Sequence, residues 1–150
     1  MSGDATEGQE VVWEAGKNTH ENIIYSCFGG MSNTGVTAAL ASLEVVKTLG
    51  LQKVAIGCLG GLPTQVVPVY TKTAAADRVV TVDGCPFECG RKVVEQAGFE
   101  IWRSLVLTRD IGMTKKPLNE DVGQGKGLDA YILQEEVAQA KEAIIAALAD

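Results

Sequence analysis

The sequence predicts a three-layer, Rossmann-like α/β domain: a mainly parallel sheet of about four to five strands with helices on both faces. Three observations carry this expectation. Short runs of valine, isoleucine and other strand-forming residues alternate with longer segments of helical periodicity. The short runs are almost continuously apolar, as strands are when both faces of a sheet are covered. Strand–helix–strand succession also implies right-handed crossovers and hence parallel pairing.

Residues 1–10 read as a flexible tail, and 11–150 as a single domain. VVWEA (11–15) is compatible with a short edge strand, and ENIIYSC (21–27) reads as a buried one. FGGMSNTG (28–35) is a turn-rich loop. VTAALASLEVVKTLG (36–50) has helical spacing and ends on Gly50, a suitable C-cap residue. KVAIGC (53–58) is the second strand, followed by a loop with Pro63 near the next helix start. That helix, 65–76, contains Pro68, which should confine it, distort it or delay its start. RVVTVDGC (78–85) is the third strand and 86–98 the third helix, with Pro86 in its first turn and Gly98 after its end. A fourth strand is centred on Leu105, residues 112–130 are mostly loop, and 131–150 form an amphipathic terminal helix.

Composition narrows the function classes. The 150 residues are 46% hydrophobic and 21% charged, which suits one globular core. A net charge of −6 argues against nucleic-acid or anionic-membrane partners. No apolar run is long enough to span a bilayer. The opening MSGDATEGQE is acidic and polar, unlike a signal peptide, so a cytoplasmic protein is expected. In that compartment four cysteines are expected to be free, metal-bound or redox-active rather than structural disulfides.

The cysteines fall in a pattern. Cys27, Cys58 and Cys85 each end a predicted strand, and Cys89 lies four residues beyond Cys85. In a parallel sheet the carboxyl ends of the strands share one edge, where ligands bind. The four thiols are therefore expected to converge, with Cys85 and Cys89 on one helix face if both are helical. Four thiolates suit a tetrahedral soft-metal site, zinc by default. The spacing lacks a CxxC knuckle. The competing reading is that each cysteine is a small buried hydrophobe.

Other residues near that edge have two readings each. Asp83 is a metal ligand, a group supporting the ligands, a general base, or a helix N-cap. Gly29, Gly30, Ser32, Asn33 and Thr34 offer amides and hydroxyls to an anion, or make a tight turn with one of them capping the helix. The loop lacks the P-loop pattern. It also lacks the arginine of a cysteine phosphatase: Asn33 stands six after Cys27, and the first arginine is Arg78. GCLGGLPTQ repeats the glycine device after the second strand. Lys115 and Lys116 bring positive charge to the edge or solvate the surface. Met31 and Met113 fit core or rim packing better than ligation. His20, the only histidine, belongs at the far end of the first strand in a solvated loop.

CFGGMSNTG, GCLGG, DGCPFEC and a lysine after a GM turn occur in that order over residues 21–116, and together they resemble the DGC-domain family. The resemblance implies zinc bound by four cysteines, which map to Cys27, Cys58, Cys85 and Cys89. Asp83 and Lys116 (or Lys115) match polar positions without an assigned role. If all four thiolates ligate, a structural or sensing role follows. If three do, an open position permits catalysis or binding of a thiol ligand. The alternatives are thiol redox or sulfur handling by Cys85 and Cys89, a small-anion-binding module, and an iron–sulfur cluster on the same four cysteines. The terminal helix serves self-association as a homo-oligomer, or simply packs on the sheet.

Overall fold

The structure, a computed structural model, describes residues 19–149. The expected tail at 1–10 and edge strand at 11–15 lie outside these residues. Four strands form one sheet: β1 (Asn22–Ser26), β2 (Val54–Ile56), β3 (Arg78–Asp83) and β4 (Arg103–Val106). All pairings are parallel, in the order β2-β1-β3-β4. The chain runs outward from β1 to β2 and then crosses back to β3 on the other side of β1. The strand order therefore reverses between β1 and β3, the place where open α/β sheets bind ligands.

The helices are α1 (Asn33–Leu49), α2 (Val67–Ala75), α3 (Cys89–Gln96), the single turn α4 (Leu107–Asp110) and α5 (Gln134–Leu148). Strand alternation divides the core in two. Ile24, Val80, Val82 and Leu105 face α1 and α5. Ile23, Tyr25 and Val79 face α2 and α3. The three-layer architecture expected from the alternation is the one observed.

Helix boundaries differ from the expectation at α1, α2 and α3; α1 begins at Asn33 rather than at 36, because Ser32 caps it. Pro68 occupies the first turn of α2, where its missing N–H costs nothing, so the start moves to Val67. Pro63 lies outside that helix, in the preceding turn. The helix predicted from Pro86 begins only at Cys89, because Glu88 takes a left-handed conformation (φ 51°, ψ 47°). Pro86 therefore sits in a turn rather than in a helix, and Cys85 and Cys89 do not share a helical face. The terminal helix also starts later, at Gln134. Tyr131 and Ile132 before it are buried in the core.

Candidate thiol site at the carboxyl edge of the sheet

β1, β2 and β3 end at Ser26, Ile56 and Asp83, so Cys27, Cys58 and Cys85 follow within two residues on the same edge. All four cysteines are free. Cys27 and Cys85 are half-buried, whereas Cys58 and Cys89 are exposed. Burial pushes the Cys27 thiol up. The nearby Cys89, Asp83 and Cys85 add to the rise, against a lowering hydrogen bond from the Gly29 N–H. Cys58 stands instead beside Tyr25, whose hydroxyl is pushed up by burial and, to a smaller extent, by that cysteine.

The glycine loop after β1 folds inward. Ser32 caps α1, its Oγ accepting from the Gly35 N–H at 3.3 Å and lying 3.1 Å from Thr34 Oγ1. Asn33 is committed to a neighbouring loop. Its Nδ2 donates to the Thr114 carbonyl (3.1 Å), its Oδ1 accepts from the Lys116 N–H (2.7 Å), and its own N–H reaches the Lys116 carbonyl (3.1 Å). Ser32, Asn33 and Thr34 are buried. Their polar groups stitch the fold together, while Gly29 and Gly30 remain in the loop nearer the surface. A side chain at Gly29 would stand 3.4 Å from Cys27 Sγ.

The Asn33 bonds bring residues 114–118 to the thiol edge. Lys115 Nζ lies 4.3 Å from the centre of the Phe87 ring. Lys116 is exposed on the same segment. Met113 is buried, but Met31 is 73% exposed and is joined at this edge by Phe28 (67%) and Phe87 (62%). Sequence reasoning overlooked the two phenylalanines, and their positions directly after Cys27 and Pro86 in strand-end loops were the available signal. His20 lies before β1 at the opposite edge, half-buried rather than solvated, with Nδ1 against the Leu51 carbonyl.

Asp83 is 1% exposed. Its Oδ1 accepts from the Gly90 N–H (2.8 Å) and its Oδ2 from the Arg91 N–H (3.0 Å). Burial lifts its carboxyl above the ordinary value even though both amide bonds pull the other way. The donor chemistry suits a thiophilic ion. As they stand, however, no three His, Cys, Asp or Glu side chains among the described residues are close enough together to hold one.

Fold and site together define a parallel α/β domain whose strand-end loops carry reduced thiols around the topological switch point. The family model described as "DGC domain" matches residues 23–144, most of the chain, and the protein belongs to the DGC-domain family. No match was found among curated proteins or among solved structures. No helix among the described residues is long and apolar enough to cross a membrane.

Proposed function

We propose that this protein binds a soft metal ion, zinc by default, through cysteine thiolates at the carboxyl edge of the sheet. The observation supporting this most strongly is that all four cysteines are free and follow β1, β2 and β3 at one edge, beside the switch point. Cys89 and Cys85 both lie near enough to Cys27 to raise its thiol. Cys58, just past the end of β2, would supply the fourth thiolate. An iron–sulfur cluster would use the same donors. Lys115, Lys116 and the exposed Phe28, Met31 and Phe87 supply a cationic, partly apolar rim for a small anion or thiol ligand. Unpaired thiols suit a cytoplasmic setting.

Elemental mass spectrometry on untagged protein and on the Cys27→Ser, Cys58→Ser, Cys85→Ser and Cys89→Ser variants tests the proposal. The expected result is about one zinc per chain, lost in several variants. Metal-free protein with freely reacting thiols would overturn it. The second reading, thiol redox chemistry, draws on the exposure of Cys58 and Cys89. It predicts metal-free protein that cycles between thiol and disulfide.

A further inference from the structure

Asp83 is a buried carboxylate whose place in the fold invites a function. It ends β3, yet its hydrogen bonds reach seven and eight residues ahead, to the second and third amides of α3. A helix usually receives this bond from its own N-cap residue, which then adopts an extended conformation. Here the N-cap is Glu88, which is left-handed and makes no side-chain capping bond. Capping has passed from the residue beside the helix to a residue on the sheet. The consequence is geometric: the two bonds close residues 83–91 into a ring, and both Cys85 and Cys89 lie within it.

We infer that Asp83 is a positioning residue that holds the two-thiol loop in one conformation and so sets where Cys85 and Cys89 stand. Four features of the ring agree. A side chain at Gly90 would put Cβ 2.7 Å from Asp83 Oδ1, so the clamp is tight enough to demand glycine. A Cβ at Gly84 would come within 2.2 Å of the Thr34 carbonyl, so the start of the loop is pressed against α1. The left-handed Glu88, next to Cys89, is a conformation that non-glycine residues keep only where their surroundings hold it. Glu88 is in turn gripped by the Arg91 guanidinium at 2.8 Å, and Arg91 donates its backbone N–H to Asp83. Ligation or general-base work by Asp83 is disfavoured, because both oxygens are occupied by amides and the group is buried. Its supporting role toward a metal rests on the thiolate-centre reading. Its role toward the thiols does not.

The test uses Asp83→Asn, which loses one acceptor, and Gly90→Ala, which attacks the same contact from the helix side. Ile144→Ala, in α5, is the control for general loss of stability. The first readout is the alkylation rate of Cys89 relative to Cys58 in metal-free protein, resolved by peptide mass spectrometry. Cys58, on its separate loop, is the internal reference. The second is the thiolate-to-metal absorption on titration with Co²⁺. Asp83→Asn and Gly90→Ala are each expected to shift the alkylation ratio at least fivefold. Where Co²⁺ binds, its affinity should fall about 10-fold or more, as for loss of a group that orients metal ligands. The double variant should be little worse than either single one, because both break one contact. A ratio within twofold of wild type in either folded variant would overturn the inference. So would an equal shift in Ile144→Ala. If either variant fails to fold, the other decides. If the wild type takes up no Co²⁺, the metal reading fails while the alkylation ratio still tests the positioning role.

Discussion

Among the cysteines, burial sets reactivity. Cys27 is half-buried and its thiol is pushed up, mainly by desolvation and then by Cys89. The nucleophile is the thiolate, so Cys27 holds less of it at neutral pH than an unperturbed cysteine. In metal-free protein Cys58 and Cys89 should therefore be alkylated before Cys27, and a time course by mass spectrometry checks this. Asn33 is a second case. Truncation to Ala removes two side-chain hydrogen bonds to residues 114 and 116 and should cost about 2 kcal/mol in urea denaturation. Asp110 supplies a pH-dependent case. Hydrogen bonding to Arg109 holds its carboxyl below the ordinary 3.8, against some desolvation and with help from the Val106 N–H. With the folded value depressed, its stabilisation is present above the unfolded value and disappears as pH falls through the folded one. Solvent screening keeps it below about 1 kcal/mol. Asp110→Asn should thus lower stability slightly at pH 7, and the difference should vanish on acidification below the ordinary carboxylate range.

The junctions between elements show why glycine recurs. Gly35 and Gly84 are places where backbones touch: a Cβ would fall 2.4 Å from the Gly29 carbonyl or 2.2 Å from the Thr34 carbonyl. Neither contact is with a flexible side-chain end, so an added methyl cannot be accommodated by a rotamer change. Gly84→Ala should destabilise by about 2–3 kcal/mol, measured by thermal denaturation. It should also disturb the thiol edge, since this contact presses the Cys85 loop onto the start of α1. The capping residues were partly legible in the sequence. Ser32 was one of three candidates, and Gly50 has the positive φ (89°) expected after a helix. The start of α3 was not legible. Pro86 reads as a first-turn proline, but the helix starts three residues later, at Cys89, where Asp83 caps it from the neighbouring strand.

Across the whole molecule, α1 and α5 cover one face of the sheet and α2 and α3 the other. Ile144 is fully buried in the larger core, the cluster that also holds Ile24, Val80, Val82 and Leu105. Ile144→Ala should cost about 3 kcal/mol and lower Tm by roughly 10 °C. Parallel pairing aligns the strand ends, so residues 58 and 31 positions apart in sequence, Cys27 with Cys85 and Cys27 with Cys58, meet at one edge. The same arrangement gathers Phe28, Met31 and Phe87 there, although nothing in their local sequence marks them as neighbours.

The amino-acid sequence by itself determined the α/β class, all four strands of the described sheet, the helices between them, and the placement of Cys27, Cys58 and Cys85 just past strand ends. These follow from local periodicity, from turn residues, and from the rule that parallel strands point the same way. Only the tertiary structure decided the strand order and hence the switch point between β1 and β3, which depends on which side of β1 each crossover takes. It also decided that Asn33 serves a loop some 80 residues away, and that Asp83 turns its carboxylate to α3. A short polar side chain near a helix start has several partners of similar worth. Which one it takes is fixed by the backbone amides that packing leaves within reach and out of water.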